Sequence, residues 1–174
     1  KDCRLTEFTL EGISNIQGDF QCIDYFYVKE FVMPFIRVAG DMTIALNSGS
    51  VNTAAEIEFP KLQEIGGTLT LGTNRNANNI TFPLLKKILG SCSVTTYKLK
   101  NDIEFTNLES IGTDGADAQI KFEIEATNIL CPKLKTINGK FDIATSSFMF
   151  DMEVDKVSYP NVESISENLS ITCP

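Results

Sequence analysis

The sequence contains no histidine and no tryptophan, and three of its 174 residues are arginine. Without histidine the chain has neither a Ser-His-Asp triad nor a Cys-His pair, and it lacks the usual general base near neutral pH. It has no apolar run of the roughly 20 residues that cross a membrane, and no glycine-rich motif of the kind that cradles phosphate. These absences exclude histidine-dependent hydrolases, a membrane-spanning helix, and a P-loop or dinucleotide site.

Positive charge is scarce as well. The chain has 15 basic residues against 23 acidic ones, which gives a net charge of −8. This balance opposes binding to a nucleic-acid backbone or to anionic lipid, so we expect no nucleic-acid partner. The sequence starts at Lys1 without a methionine, as exported chains do once a targeting segment is removed. We therefore expect an extracellular or cell-surface location.

The five cysteines form no C-x-x-C pair, and their scattered spacings do not support a zinc site. Cys92 and Cys131 stand where apolar residues recur, which is typical of inert, buried thiols. Cys3 and Cys22 are candidates for a disulfide that ties the start of the chain, although Cys22 also stands at an apolar position. If Cys3 and Cys22 are paired, Cys173 is left free or paired outside this sequence. We expect no cofactor.

One apolar frame recurs every 22 to 28 residues along the chain. In the copy that begins at Phe59, apolar residues stand at offsets 0, 3, 6, 10 and 12, and glycine stands at offset 8. A period of this size is typical of a solenoid, in which each unit buries its apolar face against its neighbours. The copies begin at Leu10, Val32, Phe59, Phe82, Phe105, Cys131 and Tyr159.

Offsets 6 to 12 alternate as a strand with one buried face does. The residues at offset 6 are all β-branched, which favours packed strands over helices, and prolines after offset 0 predict corners. A side chain at offset 8 would crowd the interior or require an unfavourable φ, and glycine avoids both. The sequence thus predicts a single β-solenoid domain over residues 1–174, with about seven turns and parallel strand ladders. The offset 6 residues are Ile16, Val38, Ile65, Ile88, Ile111, Ile137 and Ile165.

The string from Phe59 to Leu71, FPKLQEIGGTLTL, resembles the turns of receptor L domains. It is also similar to the leucine-rich-repeat surface proteins of yeast cell walls and gut bacteria, and the likeness runs from about Leu10 to Ile171. The resemblance implies a right-handed single-stranded β-helix. It further implies a non-enzymatic recognition or scaffold module that binds a protein or glycan at a cell surface. The bacterial likeness implies an exported lipoprotein ectodomain, with any lipid anchor outside this sequence.

Candidate binding residues stand where the repeat is broken. Tyr25, Tyr27 and Phe31 lie between the first two copies of the frame, and we expect them to point outward. They either anchor a partner, as exposed aromatics often do, or shield the open end of the first turn. Asp114 and Asp117 lie in the insertion that interrupts the fifth copy. Insertions in solenoids often supply the binding surface; the other interpretation of these two residues is an ordinary polar loop.

A run of alternating acids is the candidate for chemistry. Asp151, Glu153 and Asp155 alternate with apolar residues, so a strand there would place all three on one outward face. Such a cluster suits Ca²⁺ or an acid and base pair. It supports the alternative function of a carbohydrate-active β-helix enzyme that acts on polysaccharide. The other interpretation is a solvated strand face without a metal.

Overall fold

The computed structural model describes strands and turns that stack into a parallel β-solenoid. The described residues contain no helix. Successive strands along the chain enter the first, second and third of three sheets in rotation, so each repeat unit adds one strand to every sheet. The described residues are 7–10, 12–24, 30–47, 55–74, 77–97, 103–113, 118–124, 128–144, 156–158, 161–166 and 169–172.

Each sheet has seven strands, and every strand pairs in parallel with its neighbours. The first sheet contains β1 (Glu7–Thr9), β4 (Glu30–Val32), β7 (Ala55–Glu58), β10 (Ala77–Thr81), β13 (Ile103–Glu104), β16 (Asn128–Leu130) and β19 (Lys156–Ser158). The second contains β2 (Asn15–Ile16), β5 (Arg37–Val38), β8 (Glu64–Ile65), β11 (Lys87–Ile88), β14 (Ser110–Ile111), β17 (Thr136–Ile137) and β20 (Ser164–Ile165). The third contains β3 (Phe20–Asp24), β6 (Met42–Asn47), β9 (Leu69–Asn74), β12 (Cys92–Tyr97), β15 (Ala118–Ile124), β18 (Gly139–Ala144) and β21 (Leu169–Thr172).

The inward side chains of all three sheets form one continuous core, as the frame predicts. The β-branched residues at offset 6 stack in register from unit to unit, and the first and last of them are half-buried. Parallel stacking lets identical side chains pack in columns. The completely buried members of this column are Val38, Ile65, Ile88, Ile111 and Ile137.

The corner between the first and second sheets is a tight turn that starts at offset 0. In the third unit, the amide of Leu62 donates to the carbonyl of Phe59 at 3.3 Å. Proline is favoured at the second residue of such a turn because its φ is fixed and it has no amide hydrogen. Pro60 occupies this position, which confirms the corner that the sequence predicts. The same turn closes at Leu85, Leu108 and Leu134.

The sequence frame is wrong by one residue in its second copy. Val32 pairs with Glu58 rather than with Phe59. The amide of Met33 donates to the carbonyl of Glu58 at 3.0 Å, just as Phe59 donates to Thr81 at 3.1 Å. Met33 is completely buried and therefore occupies offset 0. The corner that follows it is one residue shorter than the corner after Phe59.

The ends of the solenoid also depart from the frame. Ile13 and Leu169 stand at apolar offsets, yet they are 39% and 53% exposed. The first and last units have a neighbour on one side only, so their apolar side chains lack half of the packing that interior units provide.

The corner between the second and third sheets is held by aspartates. Oδ1 of Asp19 accepts a hydrogen bond from the amide of Asp41 at 2.9 Å, and Oδ1 of Asp41 accepts one from the amide of Thr68 at 2.7 Å. Each amide belongs to the following unit, and without the aspartate it would have to donate its hydrogen bond to water. Both aspartates therefore have a structural role.

The insertion in the fifth unit leaves the third sheet in register. It begins at Gly112, whose φ of 78° is a conformation that favours glycine. The strand β15 resumes at Ala118, and its Ile120 pairs with Cys92. The chain thus accommodates the extra residues at this corner without shifting the ladder.

Candidate functional site

Most residues predicted to form a site lie outside the described part of the chain, and those predictions stay predictions. They are Cys3, Tyr25, Tyr27, Asp114, Asp117, Asp151, Glu153, Asp155 and Cys173.

Phe31 and Cys22 lie on described strands. Phe31 pairs with Phe8 of β1 and with Ile57 of β7. Ile57 is completely buried, and the outward position of the Phe31 side chain stays a prediction. Cys22 is half-buried in β3 and packs against the core. Its predicted partner, Cys3, is outside the described residues.

Two further cysteines are free thiols that lie entirely inside the core. Cys92 begins β12 and Cys131 follows β16, and both are completely buried. Burial raises the pKa of Cys92 to about 12. Burial also raises the pKa of Cys131, and the neighbouring charge of Cys92 adds to that rise. Thiolate is the reactive form, so both side chains behave as the inert, apolar residues that the sequence predicts.

We expect Cys92 and Cys131 to resist iodoacetamide in the folded protein at about pH 8 and to react fully in guanidinium. The raised pKa also has a consequence for stability. The unfolded chain loses these protons above about pH 8.5 and the folded chain retains them, so their contribution to stability is lost as the pH rises from there toward 12. Peptide mass spectrometry after alkylation measures the reactivity. Modification of the Cys92 peptide before unfolding would contradict the buried position.

The outer face of the second sheet carries a groove that is lined mainly by polar and charged residues. The groove is open and has a volume of about 230 Å³. It crosses four neighbouring strands of the second sheet, because four of its residues begin β2, β5, β8 and β11: Asn15, Arg37, Glu64 and Lys87. Its lining residues are Asn15, Ile36, Arg37, Gln63, Glu64, Lys86 and Lys87.

Backbone hydrogen bonds fix the floor of the groove. The amide of Gln63 donates to the carbonyl of Ile36 at 2.8 Å, and the amide of Lys86 donates to the carbonyl of Gln63 at 2.9 Å. The side chains at offsets 4 and 5 are therefore presented in the same way by successive units, about 4.8 Å apart. A ligand in the groove therefore meets a regularly spaced row of side chains.

One ion pair lies in the groove, next to two lysines without a partner in the part of the chain that the structure describes. Nε of Arg37 contacts Oε1 of Glu64 at 2.8 Å, with side-chain exposures of 45% and 33%. Such an exposed pair contributes about 0.2–1 kcal/mol at most. The ammonium groups of Lys86 and Lys87 are exposed and have no hydrogen-bond or ion-pair partner among the described residues. The groove therefore has excess positive charge in an acidic protein.

Glu64 is the single carboxylate among the groove residues, and it is bound by Arg37. In the part of the chain that the structure describes, no group of three or more histidine, cysteine, aspartate or glutamate side chains is placed to hold a metal ion. The groove chemistry suits hydrogen bonding and charge recognition.

Sequence reasoning did not identify the groove. Its residues come from four units and look unremarkable in each of them, since they are ordinary polar residues at outward offsets. The sequence feature that could have located the groove is the pair of adjacent lysines, Lys86 and Lys87, in a chain with more acidic than basic residues. Stacking the seven copies of the frame would have placed this pair beside Glu64 and Arg37.

Comparisons of the chain with protein-family profiles, with curated proteins and with solved structures found no match. Among the described residues, no helix is long and apolar enough to cross a membrane. The assignment of a function therefore depends on the geometry and charge of the groove.

Proposed function

We propose that this chain is a non-enzymatic recognition module of an exported or cell-surface protein, and that it binds its ligand through the groove on the second sheet. We further propose that the solenoid is a right-handed coil of seven turns, of the kind found in receptor L domains and leucine-rich-repeat surface proteins. The observation that carries the proposal is the groove, whose two lysines have no partner among the described residues, on a scaffold whose described inward residues are explained by packing.

The composition of the groove supports binding rather than catalysis. General acid and base chemistry needs a group whose protons can be exchanged near neutral pH. The chain has no histidine, and Glu64 is engaged by Arg37. Asn15 and Gln63 supply amide donors and acceptors, which select a ligand by hydrogen bonding.

The solenoid scaffold suits a surface role. Parallel units present outward residues as rows along a rigid, extended face, and such faces are used for binding in repeat proteins. An array of cell-surface glycans and matrix proteins is therefore the appropriate set of candidate ligands.

We expect the chain to bind at least one member of such an array and the double variant R37A/Q63A to bind it about tenfold more weakly, since it removes two polar contacts in the groove. The variant Y25A/Y27A tests the other predicted surface in parallel. Surface plasmon resonance gives the affinities.

Three outcomes separate the alternatives. Loss of binding in Y25A/Y27A with full binding in R37A/Q63A would move the site away from the groove. An array without any bound member would leave a spacer or scaffold role. Release of reducing ends or unsaturated products from a polysaccharide, abolished by Asp151→Ala, would overturn the non-enzymatic assignment.

A further inference from the structure

A stripe of positive charge runs along the corner between the first and second sheets and extends beyond the groove. The corner segments that form it are residues 12–15, 34–37, 61–64, 84–87, 107–110, 133–136 and 161–164. They contain six cations and three carboxylates, a net charge of +3, so the rest of the chain carries −11. The cations, here called the basic stripe, are Arg37, Lys61, Lys86, Lys87, Lys133 and Lys135, and all are exposed.

The backbone register aligns the basic stripe with the long axis of the solenoid. Lys87 of β11 pairs with Glu64 of β8, which pairs with Arg37 of β5. Farther along, the amide of Lys135 donates to the carbonyl of Glu109 at 3.0 Å. From β5 to β17 there are four strand spacings, so the stripe spans roughly 20 Å.

Most of the stripe is available for a ligand. Arg37 contacts Glu64, and the ammonium of Lys133 donates to Oδ1 of Asn107. The other four lysines have no side-chain partner among the described residues. Unpaired, aligned cations concentrate positive potential on one edge of an otherwise acidic protein, and they attract a ligand of opposite charge.

We propose that the basic stripe binds a linear acidic polysaccharide, whose carboxylate- or sulfate-bearing sugars lie along the solenoid axis. This inference rests on the proposed recognition function and names its ligand class. The cations contact the acidic groups. The exposed amide of Gln63 can bond sugar hydroxyls, as can the Oδ1 of Asn15, whose Nδ2 donates to Oγ of Ser14 at 3.1 Å. Ile36, which is 38% exposed, offers an apolar surface to a ring face.

A saccharide fits the stripe better than a nucleic acid does. Proteins that bind single strands place exposed aromatic rings under the bases, whereas the one aromatic residue of the seven corner segments, Phe35, is completely buried. The corner segments also contain Glu64, Glu109 and Glu163, and the rest of the chain carries a net charge of −11. A duplex would bring its phosphates against those acids.

The experiment measures fluorescence anisotropy of three labelled oligosaccharides of equal length with the full 174-residue chain. One is an oligogalacturonate, one a sulfated glycosaminoglycan fragment and one a neutral glucan. We expect binding of at least one acidic chain, weakening steeply with added salt, and no binding of the neutral chain. The two acidic probes decide between carboxylate and sulfate.

Charge variants locate the site. Lys87→Gln is expected to weaken binding roughly threefold, and the double variant K86Q/K87Q roughly tenfold. The matched control is Lys140→Gln, which changes the net charge equally but lies on β18 in the third sheet. It is expected to bind as the unchanged chain does. Circular dichroism confirms that each variant is folded.

Equal weakening by Lys140→Gln and Lys87→Gln would overturn the stripe as the site, since net charge alone would then explain the effect. Equal or tighter binding of single-stranded DNA or of a polyglutamate peptide would replace the saccharide with another polyanion. Binding of a neutral glycan or a protein that is unaffected by K86Q/K87Q would leave the recognition function standing and overturn the acidic ligand. Absence of any bound ligand would overturn both.

Discussion

Replacing Gly67 by alanine is expected to lower the free energy of unfolding by about 3 kcal/mol or more. The added methyl group has no space, because the backbone of the preceding unit lies directly against Gly67. A Cβ atom at this position would stand 2.8 Å from the carbonyl carbon of Gly40 and 2.9 Å from the amide nitrogen of Asp41. Urea denaturation monitored by circular dichroism measures the loss.

The clash cannot be relieved by a side-chain movement. Gly67 donates a backbone hydrogen bond to the carbonyl of Gly40 at 2.9 Å, and Gly90 donates to Gly67 at 3.0 Å. Moving Gly67 away from Gly40 would lengthen the first bond and compress the second contact. The neighbouring bond from the amide of Thr68 to Asp41, at 2.7 Å, would be strained as well. The expected loss of stability in Gly67→Ala therefore has two causes, the overpacking and the weakened hydrogen bonds.

Two other glycines serve as matched controls. Gly18 occupies the same offset in the first unit, and a Cβ there meets no atom within 4 Å. At Gly72 the nearest atom would be the carbonyl oxygen of Ile44 at 3.9 Å, an ordinary contact. Gly18→Ala and Gly72→Ala are expected to change stability by less than about 1 kcal/mol. A loss at Gly18 as large as that at Gly67 would show that interior crowding, not contact between units, requires the glycine.

The glycine at offset 8 shows which part of the fold the sequence could predict. The periodicity located Gly67 correctly and indicated a lack of space. It predicted crowding by interior side chains, but the structure places the backbone of Gly40 and the carboxylate of Asp41 there instead. A residue's spatial neighbours in a solenoid are a whole unit away in sequence. Periodicity reveals the spacing of the units but does not show how closely their backbones approach.

The second copy of the frame shows a related limit. Val32, Phe35 and Val38 matched the apolar spacing, so the frame was placed one residue early. Pro34 carried the correct signal, because it follows Met33 just as Pro60 follows Phe59. Turn chemistry therefore locates a unit more reliably than apolar spacing when a corner loses a residue.

The groove could not be predicted from any single unit. Arg37 and Glu64 are separated by 27 residues, and Lys87 follows after a further 23. Only the parallel register brings these three side chains to neighbouring strands. Sequence reasoning searched where the repeat breaks, since insertions often bind ligands. The described site lies instead on regular outward offsets, where polar residues are expected in any solenoid.

Replacing Phe82 by alanine is expected to cost about 3–5 kcal/mol of stability. Phe59, Phe82 and Phe105 form a column at offset 0, and all three are completely buried. The ring centroids are 5.0 Å apart in both pairs, with interplanar angles of 2° and 5°. Phe82 is the middle ring, so its removal opens a cavity and separates two stacked pairs. Chemical denaturation measures the change in free energy.

Leu84→Ala is the control variant for Phe82→Ala. It also removes an apolar side chain, but Leu84 is 42% exposed on the corner that follows Phe82. It is expected to change stability by no more than about 0.5 kcal/mol. A double-mutant cycle with Phe59→Leu and Phe82→Leu then isolates the stacking between the two rings. We expect a coupling of about 0.5–1.5 kcal/mol. Additive effects would mean that the column stabilises the fold through buried area alone, and that the parallel ring geometry follows from the spacing of the units.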